Sequence, residues 1–314
     1  MTGDPARPRR PRRHAVGEER AWPRPLVPAK ADFHTHTTRS DGVLEPPELV
    51  RQVVAAGVRT LAITDHDTLA SVHEVLASGL PDGLRLIPGV EINALTRGLD
   101  VPEGELHVIG LGVDPDDAML EAALRRQREA RRTRFEQTVE RFRELGMPID
   151  EQVALLDLTR DDALGRPTVA RALVAAGLAE SVEDAFSRLL GWGMPGYVPR
   201  TGLGPVEAIE TIRAARGLPV LAHFAWAPDR RDLILGLVEA GLAGIETHHR
   251  SFDTATRRRM TSFARAFGLL PSGGTDYHGD LGPYAQSHVE LFLPSSVERA
   301  VLDAIDAGDA RAAR

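Results

Sequence analysis

The segment Ala31-Asp32-Phe33-His34-Thr35-His36 ends an apolar run on two histidines one residue apart. In an extended strand, residues i and i+2 point to the same face, so His34 and His36 can aim two imidazoles at one point. Thr64-Asp65-His66-Asp67 ends the next apolar run. Thr275-Asp276-Tyr277-His278 ends one of the last, and there Asp276 and His278 share the same i, i+2 relation. Three such clusters, each after a β-like stretch, call for a fold that gathers strand ends at a single rim. A multinuclear metal centre at the mouth of an α/β barrel meets that requirement.

The rest of the chain keeps a β/α rhythm. A first strand ends at His36, and a helix follows over 46–56, closed by Gly57. Strands are predicted over 60–64, over 84–90 running into Glu91, and over 106–111 carrying His107. The rhythm then breaks. Residues 116–145 read as one long charged helix, stopped by Gly146 and Pro148. Shorter helices follow near 168–176 and 182–190, the second with Ser181 as N-cap and Asp184 three residues on. The Gly- and Pro-rich stretch 191–204 reads as a return linker. Helices over 205–215, 231–240 and 253–267 then alternate with strands over 219–222, 244–247 and 269–273. These strands end at His223, at His248 and His249, and at Asp276 and His278. A strand over 288–293 and a helix over 297–307 close the pattern.

The expected architecture is α/β: a distorted (β/α)7-type barrel with a helical insertion domain between its fourth and fifth strands. A Pro/Arg-rich tail covers 1–30, a first barrel part 31–113, an insertion capping the substrate site 114–204, and a second barrel part 205–314.

Composition narrows the chemistry. At 314 residues the chain can bury a full core. It has no cysteine, which excludes disulfides, thiolate zinc sites, iron–sulfur clusters and a cysteine nucleophile. Any metal must be held by His, Asp and Glu. No apolar run is long enough to span a bilayer. The first residues lack the apolar core of a secretory signal, so a cytoplasmic location is expected. Residues 1–30 hold seven Arg and one Lys against three acids, in a chain of formal net charge −7. The body is therefore more acidic than the total, which disfavours long nucleic acid. The run Arg7-Pro8-Arg9-Arg10-Pro11-Arg12-Arg13 offers nothing to bury and is expected to be disordered.

Seven motifs now stand in order: Asp32-Phe33-His34-Thr35-His36, Ser40-Asp41-Gly42, Ile63-Thr64-Asp65-His66-Asp67, Pro88-Gly89-Val90-Glu91-Ile92, Leu106-His107, Leu221-Ala222-His223 and Gly274-Thr275-Asp276-Tyr277-His278-Gly279. Together they resemble the polymerase-and-histidinol-phosphatase (PHP) family over residues 31–295. Within that family the chain is most similar to stand-alone phosphoesterases with a helical insertion. Among these are the 3′,5′-nucleoside bisphosphate phosphatases and the 5′→3′ exoribonucleases of short RNA. Gly165-Arg166-Pro167-Thr168-Val169-Ala170-Arg171, and the stretch from Asp184-Ala185-Phe186 through Gly196-Tyr197-Val198-Pro199, resemble their insertion.

The resemblance implies three divalent metal ions, Mn foremost, with Fe or Zn as alternatives. His34, His36, Glu91 and Asp276 would hold one. Glu91, His107 and His223 would hold a second, with Glu91 bridging. Asp41, His66 and His278 would hold a third. Phosphate esters resist attack because their oxygens already carry negative charge. Cations neutralise that charge, supply hydroxide near neutral pH and stabilise the leaving alkoxide.

Asp65 is expected to orient a ligating imidazole and is grouped with Arg134 as catalytic. Asp67 is read as a polar gate. Glu246 and His249 stand at even odds between supporting the site and merely closing the barrel, while His14, His73 and His288 carry no site expectation. Arg128, Arg131 and Arg134 recur every three residues and lie close to one helix face. Arg131, Arg134 and Thr168 are the expected substrate contacts, Arg134 at a phosphate. A solvated face balanced by Glu129 and Glu136 is the alternative for the arginines. Arg166 and Arg171 are further candidates.

Two residues depart from the family pattern. Thr168 stands where the subfamily usually has His, and Phe224 where the family usually has Pro. A hydroxyl can hydrogen-bond phosphate but cannot supply a cation. The expected activity is a metal-dependent phosphomonoesterase acting on a small phosphorylated metabolite, foremost a nucleotide or nucleoside 3′,5′-bisphosphate. The alternatives are a 5′→3′ exoribonuclease on short RNA, a histidinol-phosphate or specialised-metabolite phosphatase, and a non-catalytic metal-binding module. Intact ligand motifs weigh against the last.

Overall fold

A computed structural model describes residues 28–96, 99, 105–155 and 164–312. The Pro/Arg-rich segment up to residue 27, with His14, lies outside the described residues.

Among the described residues seven strands pair in chain order: β1 (Ala31–Asp32), β2 (Thr60–Ile63), β3 (Arg85–Leu95), β4 (Glu105–Leu111), β5 (Leu218–Leu221), β6 (Gly244–His249) and β7 (Leu270–Gly274). Leu61, Ala62 and Ile63 are all fully buried, as in a sheet covered on both faces. The pairs β1–β2, β2–β3, β5–β6 and β6–β7 are parallel. β4 runs antiparallel to both of its neighbours. Its starting end therefore lies at the rim where the other strands finish. That reversal brings His107, near the start of β4, to the same rim as His34 and His66.

The ring closes between β1 and β7. Phe33 N donates to Gly273 O at 3.3 Å, Asp276 N to His34 O at 2.8 Å, and His36 N to Tyr277 O at 3.1 Å. The first strand, expected to reach His36, stops as a regular ladder at Asp32 and continues through these irregular bonds.

The helices are α1 (Pro46–Ala55), α2 (Ala70–Ser78), α3 (Ala118–Glu144), α4 (Asp150–Ala154), α5 (Arg166–Ala175), α6 (Val182–Ala185), α7 (Pro205–Ala214), α8 (Arg231–Glu239), α9 (Thr254–Ala266), α10 (Tyr284–His288) and α11 (Ser295–Ala312). Prolines open α1, where φ is already set and the missing N–H costs nothing. Asp117 caps α3 by accepting from Leu120 N at 2.8 Å. Ser181 caps α6 by accepting from Asp184 N at 3.1 Å. The expected helix over 182–190 is in fact α6 followed by a π-helical turn, Phe186–Leu190. Phe135, Phe142, Ile149, Val169, Leu173 and Leu190 form a cluster of their own between α3 and α6, separate from the barrel core.

The strand expected over 288–293 does not form. Tyr284–His288 is α10, and Val289 to Leu293 pair with no strand. Alternation in His-Val-Glu-Leu-Phe-Leu imitates a strand, but the ring is already closed between β7 and β1 and leaves no edge. Leu291 and Leu293 instead pack with Phe33, Val297 and Val301. Among the described residues, no helix is long and apolar enough to cross a membrane.

Candidate metal centre

Among the described residues, three of the four non-glycine residues with positive φ sit where a strand breaks off at the rim. They are Asp67 (φ 55°), His223 (φ 28°) and Asp276 (φ 51°). Such backbone is unfavourable for residues with a Cβ and persists only where the surroundings enforce it.

Glu91, on β3, is completely buried at the centre. Its Oε2 lies 3.3 Å from His34 Nε2, 3.2 Å from His36 Nε2 and 3.1 Å from His66 Nδ1. Its Oε1 lies 3.0 Å from His107 Nδ1 and 3.3 Å from His223 Nε2. Asp276 Oδ1 lies 3.2 Å from His34 Nε2 and 3.4 Å from His36 Nε2. Asp41 Oδ1 lies 3.0 Å from His278 Nε2, and its Oδ2 lies 3.7 Å from His66 Nε2. The structure thus gathers all nine residues of the expected donor set. It shares them more widely than a three-way division: His36 also groups with Asp41, His66 and His278, His66 also with Glu91 and His107, and His223 with His34 and Asp276.

This donor set fits divalent cations. His34 Nε2 and His36 Nε2 are only 3.0 Å apart. The other nitrogens of the two rings are engaged from behind, His34 Nδ1 with Glu246 Oε1 at 3.0 Å and His36 Nδ1 with Ser40 Oγ at 3.3 Å. Both Nε2 atoms therefore face one point, and such backing is what fixes a ligating imidazole. Among the described residues, His66 Nδ1 is buried and makes no hydrogen bond. With only nitrogen and carboxylate donors, the set suits Mn, Fe or Zn.

The field at that point favours positive charge. Burial by itself would lower His36, yet hydrogen bonds to Asp276 and Glu91 raise it to about 10. His34 is likewise raised well above its ordinary value, against burial, by the charges of Glu91, Glu246 and Asp276. Glu91 and Asp276 lie well below the usual carboxylate range; burial opposes this, and the charge of His34 is the first cause that overcomes it. His66, where burial prevails, is pushed down to about 3.

A buried polar layer supports the donors. Asp65 was expected to orient a ligating imidazole. Its Oδ1 accepts from Thr37 N at 2.7 Å and Ser40 Oγ at 2.6 Å, and its Oδ2 from Thr37 Oγ1 at 2.6 Å. It fixes the loop after β1 and reaches His36 only through Ser40, so it is a positioning residue. Asp32 ties β1 to β7, accepting from Thr275 N at 2.9 Å, Thr275 Oγ1 at 2.7 Å and Tyr284 Oη at 2.8 Å. Glu246 does more than close the barrel: besides backing His34, its Oε2 accepts from His223 N at 2.6 Å. His73 faces solvent on α2, and His288 Nε2 bonds Ala29 O at 2.9 Å, both away from the donors.

All of the donors except His34 and His36 line a cavity of about 770 Å³, together with Arg131, Arg134, Arg166, Thr168, Arg171 and Arg200 from the segment between β4 and β5. Arg131 is bound through Nη2 to Asp67 Oδ2, so it joins insertion to barrel as well as lining the cavity. Asp67 is fully buried and serves as that anchor rather than as a gate. Arg134 Nε donates to Val198 O at 2.9 Å. Thr168 Oγ1 accepts from Arg171 Nη2 at 3.0 Å. Phe224 packs in the core against Trp226. Asn93 and Arg200 line the cavity unanticipated. For Asn93 a signal existed: it lies two residues after Glu91 on β3 and shares its face.

A family model described as PHP domain matches residues 32–145. The 5′-3′ exoribonuclease Rnm of Escherichia coli (strain K12) is 35% identical over 279 residues, covering 85% of this chain and 91% of the relative. The 3′,5′-nucleoside bisphosphate phosphatase of Chromobacterium violaceum is 30% identical over 258 residues, covering 80% and 87%. A solved structure from Bifidobacterium adolescentis, described as a metal-dependent phosphoesterase, superposes with a TM-score of 0.72 at 31% identity, covering 88% of this chain and 98% of that one. Barrel, donor-lined rim and relatives agree: the chain belongs to the PHP family and is a metal-dependent phosphoesterase.

Proposed function

We propose that this phosphoesterase removes a terminal phosphate from a small phosphorylated metabolite, a nucleotide or nucleoside 3′,5′-bisphosphate. One observation carries this reading: seven metal-type donors and the arginines Arg131, Arg134, Arg166 and Arg171 line one cavity of about 770 Å³. That volume suits a small ligand, since such sites run about 300–1,000 Å³. The reacting phosphate belongs at the donors. A second phosphate, or the nucleoside's other polar groups, would meet Arg134, Arg166 and Arg171, whose guanidinium geometry matches phosphate oxygens.

His34, His36, Glu91 and Asp276, then Glu91, His107 and His223, then Asp41, His66 and His278 would together hold about three divalent ions, Mn foremost. When bound, such ions supply Lewis acidity that offsets phosphate charge and makes water nucleophilic near neutral pH. The chain's own part is placement. Glu91 presents one oxygen to each of two sets of rings. Glu246 and Ser40 hold His34 and His36 with Nε2 forward. The helices within 114–204 act as the cap that excludes water and selects the ester.

A second reading, a 5′→3′ exoribonuclease on short RNA, is favoured by the 35% identity to Rnm. Product analysis with Mn(II) on nucleotides, 3′,5′-bisphosphates, sugar phosphates and short RNA separates the two. Inorganic phosphate from a bisphosphate or mononucleotide is expected. Mononucleotides from short RNA, with no phosphate from any monoester, would replace the first reading with the second.

A further inference from the structure

His249 ends β6, is buried, and lies outside the nine donors. Its Nδ1 lies 3.2 Å from Ser251 N and 2.7 Å from Ser251 Oγ. A backbone N–H can only donate, so Nδ1 is an acceptor and the proton of the neutral ring sits on Nε2. That Nε2 lies 3.4 Å from Asp276 Oδ2 and so donates to the carboxylate. The other oxygen, Oδ1, is the one that faces His34 and His36, at 3.2 and 3.4 Å. Asp276 itself stands on left-handed backbone, φ 51°, a conformation that persists only where the surroundings enforce it.

We infer that His249 is a positioning residue: a neutral donor that fixes Asp276 Oδ2 and turns Oδ1 toward the point where His34 and His36 meet. The inference rests on the reading of Asp276 as a metal ligand. His249 is not itself a ligand, because Nδ1 is committed to Ser251 and Nε2 carries the proton. A donor behind a ligating carboxylate narrows its orientation, and loss of such a partner costs about 10- to 100-fold in metal affinity.

Two amides separate the two ring nitrogens. In His249→Gln the side-chain amide lies near the Nε2 position and can still donate to Asp276. In His249→Asn it lies near Nδ1 and reaches only Ser251. Mn(II) binding to the full chain is measured for the parent, both variants and Asp276→Asn, with metal-free thermal unfolding alongside. His249→Gln is expected to bind Mn(II) within about 3-fold of the parent, and His249→Asn to bind one ion about 10- to 100-fold more weakly, with matching metal-free unfolding. Equal loss in both variants, loss in neither, or a weaker Asn variant that is also less stable without metal than the Gln variant would overturn the inference. Parental affinity in Asp276→Asn would instead remove the ligand reading beneath it.

Discussion

Asp67, just beyond β2, holds Arg131 of α3 through its carboxylate and Arg128 through its backbone carbonyl, the latter at 2.8 Å. The same residue's N donates to Glu91 O at 3.0 Å. One buried residue, through its carboxylate and its backbone, thus links the helix that lines the cavity to the strand that carries the central Glu91. Asp67→Ala should destabilise the protein by about 3–5 kcal/mol, the cost of breaking a buried charge pair from one side. Urea unfolding checks this. A loss under about 1 kcal/mol would show that the junction is held elsewhere.

Arg134 lines the cavity while its Nε donates to Val198 O at 2.9 Å. Arg134→Ala should lower kcat/KM by about 10- to 100-fold, because a charge-assisted phosphate contact contributes roughly 1.5–3 kcal/mol. Metal content should stay at the parental value. Parental kcat/KM on every active substrate would reduce Arg134 to a strut for Val198.

Thr168 is buried in the first turn of α5, its hydroxyl taken by Arg171. Thr168→His should raise kcat/KM on 3′,5′-bisphosphates relative to monophosphates, since an imidazole there can meet phosphate and frees Arg171 from the hydroxyl. The ratio of the two substrates in parent and variant is the readout. An unchanged ratio means that position 168 does not set selectivity.

Four of the donors were marked locally, as the i, i+2 pairs His34/His36 and Asp276/His278 at the ends of apolar runs, while Asp41, His66, Glu91, His107 and His223 were assigned only through the ordered family motifs. What joins the donors was not legible. β3 extends to Leu95, beyond the expected end at Val90, because it gains an antiparallel partner in β4, and that pairing is visible only in three dimensions. α2 went unread between β2 and β3, although Val72 and Val75 are spaced for one helix face and Gly79 follows. Residues 288–293 alternate like a strand but had no edge to join. Asp65 lies beside His66 in sequence, yet its partners come from the loop after β1, which no local pattern announces.

His248, on the strand before His249, offers a pH signature. Burial, then the charge of Arg257, lowers it from 6.5 to about 4. The unfolded chain takes up this proton more readily than the folded one. The contribution to stability is therefore complete above pH 6.5 and is lost as pH falls toward 4. It amounts to at most about 3 kcal/mol. Melting temperatures should fall more steeply between those pH values in the parent than in His248→Gln. Parallel curves would mean that His248 titrates normally in the fold.

Glu91 presents three imidazole nitrogens to one oxygen and two to the other. The proposal that it bridges two ions is tested most directly by metal content per chain in the parent and in Glu91→Gln, with phosphate release from a 3′,5′-bisphosphate followed on the same samples. About three ions in the parent are expected, with fewer in the variant and turnover lower by about 100-fold or more. Full metal content with near-parental turnover in Glu91→Gln would contradict it.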